Sequence, residues 1–123
     1  MEKREPAKSF KDLIVWQKAH QLVLNVYRAT KTFPKEEIYG LSSQIKRSSV
    51  SIAANIAEGF KKKGIADKLK FMNTAQGSLS ETEYHLLLAN DLEFFNTTKL
   101  TKDAAEVGRL LEAYMRGIRG NNS

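Results

Sequence analysis

The chain has 123 residues, with 20 Lys+Arg against 14 Asp+Glu for a formal net charge of +6. One domain is expected at this length, and 41% apolar residues with only 7 glycines and 2 prolines exclude a disordered or collagen-like chain. No apolar run approaches the roughly 18–20 residues that cross a bilayer, and no leader-like stretch opens the sequence, so a cytoplasmic protein with no membrane partner is expected. The absence of cysteine excludes disulfides, thiolate zinc sites and thiol nucleophiles.

The first helix is predicted over residues 12–32, with Asp12 as its cap and Pro34 just past its end. Leu13, Trp16, His20, Val23 and Tyr27 form one stripe on it, and Val15, Ala19, Leu22, Val26, Ala29 and Phe33 form another. Two stripes exceed what one helix buries in a lone bundle, so a contact beyond the chain's own bundle is expected. The second helix is predicted over residues 39–60 around Leu41, Ile45, Ser48, Ile52 and Ile56, with small Ser49, Ala53 and Ala57 beside them. Gly59 and residues 61–64 read as its end, where glycine suits left-handed backbone and lysines complement the dipole.

The third helix is predicted over residues 65–94 along Ile65, Met72, Ala75, Leu79, Thr82, Leu86 and Ala89. Gly77 in its interior implies a close helix contact. Residues 96–98 then offer a turn and a cap. The fourth helix, over residues 99–118, carries Leu100, Ala104, Val107, Leu111, Tyr114 and Ile118 in 4-3-4-3-4 order. No strand-like alternation or internal repeat intervenes. The expectation is an all-α, antiparallel up-and-down four-helix bundle over residues 10–119, with a flexible tail over 1–9 and a disordered end over 120–123.

Charge is uneven along the chain, net +7 over residues 1–63 and −1 over residues 64–123. Lys46 and Arg47 project from the second helix, and a surface line through Arg47, Ser51, Ala54 and Glu58 leads to Lys61 and Lys62. Such a stripe suits a phosphate backbone, while a plain solvated face with dipole compensation accounts for the same residues. No interleaved aromatics suggest a single-strand stacking platform. Other chemistries fit poorly. Glu81 and His85 share a face, but the spacing and the missing second copy do not make a di-iron motif, so no metal is expected. Residues 59–64 fail as a P-loop because Ile65 and Ala66 follow where Lys-Ser/Thr is required. The serines of the second helix lack a His and acid partner in a motif context, and residues 96–98 form a turn rather than a used glycosylation sequon. No catalytic residue and no cofactor are expected.

Four ordered motifs carry a resemblance: Leu13 to Ala19 (LIVWQKA), Tyr39 to Ser48 (YGLSSQIKRS), Ser51 to Gly59 (SIAANIAEG) and Phe71 to Glu81 (FMNTAQGSLSE). The chain resembles the bacterial four-helix-bundle family encoded in intervening sequences of 23S rRNA genes, which includes accessory proteins of diversity-generating retroelements. That resemblance, over residues 10–118, implies a homopentameric barrel, a nucleic-acid role and no enzymatic activity. It also implies a polymerase as a protein partner, since the retroelement relatives engage nucleic acid and polymerase through basic barrels. Five copies would pool their positive charge into one strong field. Gln44, Lys46, Arg47, Asn55, Glu58 and Gly59 match the second-helix motif, and Gly77, Ser78, Glu81 and Glu83 match the third-helix motif. Ala53 stands where the family often has proline, and Glu93 where it often has glycine. Asn55 with Glu58 reads either as a functional pair or, as favoured here, as a buried amide bonded to a neighbouring helix to fix register. The expected function is a non-enzymatic, oligomeric adaptor binding structured RNA or DNA through Lys46, Arg47, Lys61, Lys62 and Lys63. The alternative is a protein-interaction scaffold without direct nucleic-acid contact.

Overall fold

A computed structural model describes residues 6–120, so most of the tail expected over 1–9 and of the end expected over 120–123 lies outside the described residues. The chain forms α1 (Ile14–Thr30), α2 (Leu41–Lys61), α3 (Ile65–Asp91) and α4 (Thr98–Gly120), with short 3-10 turns at Phe10–Asp12 and Lys35–Glu37. Each helix packs against its sequence neighbours, and α1 also packs on α4, which closes an up-and-down antiparallel bundle. Leu22, Ile45, Ile52, Ile56, Met72, Leu86 and Leu111 are fully buried along its axis.

Local chemistry sets the boundaries. Asp12 does not cap α1. Its Oδ2 accepts the Ser9 amide at 3.2 Å and the Lys8 amide at 2.9 Å, closing the 3-10 turn, and α1 begins after Leu13 with no side-chain cap. The stripe holding Trp16 is partly absorbed within the chain. Val23 is buried, Trp16 packs its ring edge-on against Phe10 at 4.9 Å and stacks on His20 at 4.8 Å, while Tyr27 stays exposed. Tyr114, expected in the core of α4, is half-buried beside the fully packed Met115.

Two glycine expectations are corrected. Gly59 is an interior, buried α2 residue with ordinary backbone. A Cβ there would collide with Met72 Cε and lie 2.8 Å from Phe71 Cβ, so this glycine lets α3 approach rather than ending α2. Gly77 makes no close contact: an added Cβ would meet nothing within 4 Å. The left-handed position falls elsewhere. Glu93 has φ 63°, and Phe94 N donates to Ala89 O at 2.9 Å while Glu93 N donates to Asn90 O at 3.0 Å. These two bonds make a Schellman closure of α3, with a glutamate where glycine fits best. At Ala53, α2 runs on as unbroken helix.

Candidate nucleic-acid interface

The antiparallel order decides which charges meet. The C-terminal turn of α2, the first turns of α3, the last turns of α4 and the Phe10–Asp12 turn share one end of the bundle. Lys61 and Lys63 are exposed there, and Lys70, Arg116 and Arg119, which sequence reading left out, join them from α3 and α4. Those residues lie in the half of the sequence with net negative charge, so only the helix pairing could bring them in. Lys62 lays its ammonium 5.1 Å from the centre of the Phe71 ring and keeps an exposed edge. Lys68 serves the fold instead, since its Nζ donates to the Phe60 carbonyl at 2.7 Å and so satisfies an orphan acceptor at the end of α2. Exposed Glu58 and Asp67 are the carboxylates beside the α2–α3 joint.

Lys46 and Arg47 do not belong to this cluster. They sit roughly 21 Å or more up α2 from Lys61 and Lys62, at 1.5 Å per residue. Lys46 is half-buried with its ammonium 5.1 Å over the Tyr27 ring, while Arg47 is exposed. The surface line expected to connect them is broken, because Ser51 turns toward α3 and bonds Ser78 Oγ at 2.7 Å. Asn55 likewise bonds its own helix, donating to Ser51 O at 2.8 Å and Ser51 Oγ at 3.1 Å. It therefore acts on α3 only through Ser51, and Glu58 remains solvent-facing rather than paired with it.

Between the ends, α2 and α3 share a polar seam. Ser48 Oγ lies 3.1 Å from His85 Nδ1 and 2.8 Å from Thr82 Oγ1, which is also 2.9 Å from the Ser78 carbonyl. Burial pushes the His85 imidazole below its ordinary value of 6.5, opposed by the nearby Glu81 carboxylate. A neutral ring whose Nδ1 accepts the Ser48 proton leaves Nε2–H facing Glu81 Oε2, 3.8 Å away. Serine, histidine and glutamate thus form a row, but Ser48 is 3% exposed and His85 4%, so no substrate reaches the hydroxyl. The row holds the α2–α3 register. Among the described residues no buried side-chain nitrogen or oxygen lacks a partner, and no three His, Cys, Asp or Glu side chains gather into a metal site. Nor is any described helix long and apolar enough to cross a membrane.

Fold and surface together define a small all-helical bundle with one strongly basic end. The chain belongs to the 23S rRNA-intervening sequence protein family, whose model matches residues 11–113. A solved structure from Bacteroides thetaiotaomicron, a protein of unknown function from the S23 ribosomal protein family, is similar at 27% identity and a TM-score of 0.74. The similarity covers 83% of this chain and 98% of that one. No curated protein matches the chain.

Proposed function

We infer that this chain is a non-enzymatic helical-bundle protein that binds structured RNA or DNA through its basic end and acts as an assembly of several copies. The observation that supports nucleic-acid binding is the convergence of Lys61, Lys62, Lys63, Lys70, Arg116 and Arg119 from three helices onto one end. Flexible cations from separate helices track the phosphates of a duplex, which demand charge and spacing but no stacking. Lys46 and Arg47 supply at most a separate contact higher on the bundle.

A second reading, a scaffold for a protein partner, has its own support. Leu24 and Tyr27, one turn apart on α1, and Val50 on the adjoining α2 remain exposed, and exposed apolar side chains favour a protein contact. Titration of a short duplex separates the two readings. With Lys61, Lys62 and Lys63 all changed to Glu, affinity falls on the order of a hundredfold if the basic end grips phosphate. Equal affinity in the reversed variant, or no binding by the natural chain at low salt, contradicts the nucleic-acid reading.

A further inference from the structure

The basic end carries a cavity of about 540 Å³ between the first turn of α3 and the last turns of α4, a size usual for small-ligand sites. Ile65 and Lys68 line it from α3, and Ala113, Tyr114, Gly117 and Ile118 line it from α4. Ile65 and Tyr114 pack against the core yet stay only partly buried, so the cavity meets water over apolar walls. Lys68 adds its stem to those walls, since its ammonium is committed to the Phe60 carbonyl. Gly117 keeps the space open: an added Cβ would meet nothing within 4 Å.

Two features say what fits there. Among the described residues the Tyr114 hydroxyl has no hydrogen-bond partner. Burial pushes that phenol above its ordinary range, so it remains a protonated donor at neutral pH. The second feature is charge. Exposed Lys63 stands just before Ile65, exposed Arg116 and Arg119 flank Gly117 and Ile118 in α4, and Lys61 and Lys70 share the same end. Glu58 and Asp67, the carboxylates beside the α2–α3 joint, leave these surroundings net positive. A free apolar molecule would gain nothing from the cations, and a bare phosphate nothing from Ile65 and Ile118. A nucleotide within a strand uses both.

We propose that the α3–α4 cavity takes one unpaired nucleobase of the bound nucleic acid, its faces against Ile65 and Ile118 and an acceptor on its edge receiving the Tyr114 hydroxyl, while the surrounding cations hold the neighbouring phosphates. Bases outside a stack are held in this way, between apolar walls and by hydrogen bonds to their edges. The proposal rests on the nucleic-acid reading above and narrows its ligand class, to a duplex interrupted by an unpaired nucleotide rather than a uniform one.

Fluorescence anisotropy with three short DNA duplexes tests it: one fully paired, one with a single bulged adenosine, and one with an abasic site at the bulge. The natural chain binds the bulged adenosine about tenfold tighter than either of the others. Gly117→Leu fills the cavity from an open helical position and keeps the helical circular dichroism spectrum. It cancels that preference and leaves the fully paired duplex within about twofold. Tyr114→Phe removes only the hydroxyl and weakens the bulged adenosine complex about fivefold. Equal affinity for the adenosine and abasic bulges would mean that no base is held, and a preference that survives Gly117→Leu would place the base elsewhere. Either result overturns the cavity's role, as does an equal loss for all three duplexes in Gly117→Leu. If the natural chain binds none of the three at low salt, the reading of the basic end as a nucleic-acid interface fails as well.

Discussion

The two ends of the bundle are built from similar lengths of helix and differ in charge and in closure. At the α2–α3 end, Lys61, Lys70, Arg116 and Arg119 bring positive charge from three helices to the end that also holds Lys62 and Lys63, and the joint is locked by the buried Gly59 and the Lys68 bond to Phe60 O. At the other end, Arg28, Lys31, Lys35 and Lys99 are mixed with Glu36, Glu37, Asp91 and Glu93, and closure comes from backbone hydrogen bonds at the Glu93 turn. The 27 residues of α3 span roughly 40 Å, several times the ~10 Å screening length at 0.1 M salt, so the ends act as separate electrostatic objects. Folding adds Lys70, Arg116 and Arg119 to a lysine run that the order of the chain already supplies.

The contrast can be broken first by charge reversal at each end. Arg116→Glu with Arg119→Glu weakens duplex binding at least tenfold, while Lys31→Glu with Lys35→Glu stays within about twofold, as fluorescence anisotropy would record. Equal losses at both ends would erase the distinction. Next in size is Gly59→Val, which drives a side chain into Met72 and Phe71 and lowers unfolding free energy by about 1–3 kcal/mol in urea titration. The opposite end responds with the opposite sign. Glu93→Gly relieves a left-handed non-glycine backbone and raises the unfolding free energy by about 1 kcal/mol.

The smallest effect lies midway, at His85. Its folded-state imidazole is held below 6.5, so the unfolded chain takes up a proton first as pH falls. The stability this linkage contributes is complete above pH 6.5 and is lost as pH falls from there through the folded-state value. His85→Gln flattens that part of the stability-versus-pH curve without moving either end's binding behaviour.

Much of this was legible in the sequence, for definable reasons. The seams through Leu41, Ile45, Ile52 and Ile56, and through Leu100, Ala104, Val107 and Leu111, repeat at helical spacing, so element type and antiparallel order followed from them. Lys61, Lys62 and Lys63 were visible because they are contiguous. Lys70, Arg116 and Arg119 were not, because nothing local says that the end of α4 returns to the start of α3. The up-and-down order itself implies that return, and it was the signal passed over. Gly59 was misread because a glycine that closes a helix and one that admits a neighbour look alike until Met72 and Phe71 are placed beside it. Glu93 kept the turn that glycine serves because its backbone hydrogen bonds hold the left-handed geometry. Asn55 was assigned to the wrong neighbour, since a border position does not tell whether an amide reaches across a seam or back along its own helix.

The most direct measurement is the salt dependence of duplex DNA binding for the natural chain and for the variant with Lys61, Lys62 and Lys63 changed to Glu. Phosphate neutralisation by these lysines gives the natural chain a steep fall of log K with log salt, and the variant a slope shallower by about 2.7, at about 0.9 per phosphate. Parallel slopes for the two proteins would mean that these lysines never neutralise phosphate, and the basic end would lose its assigned role.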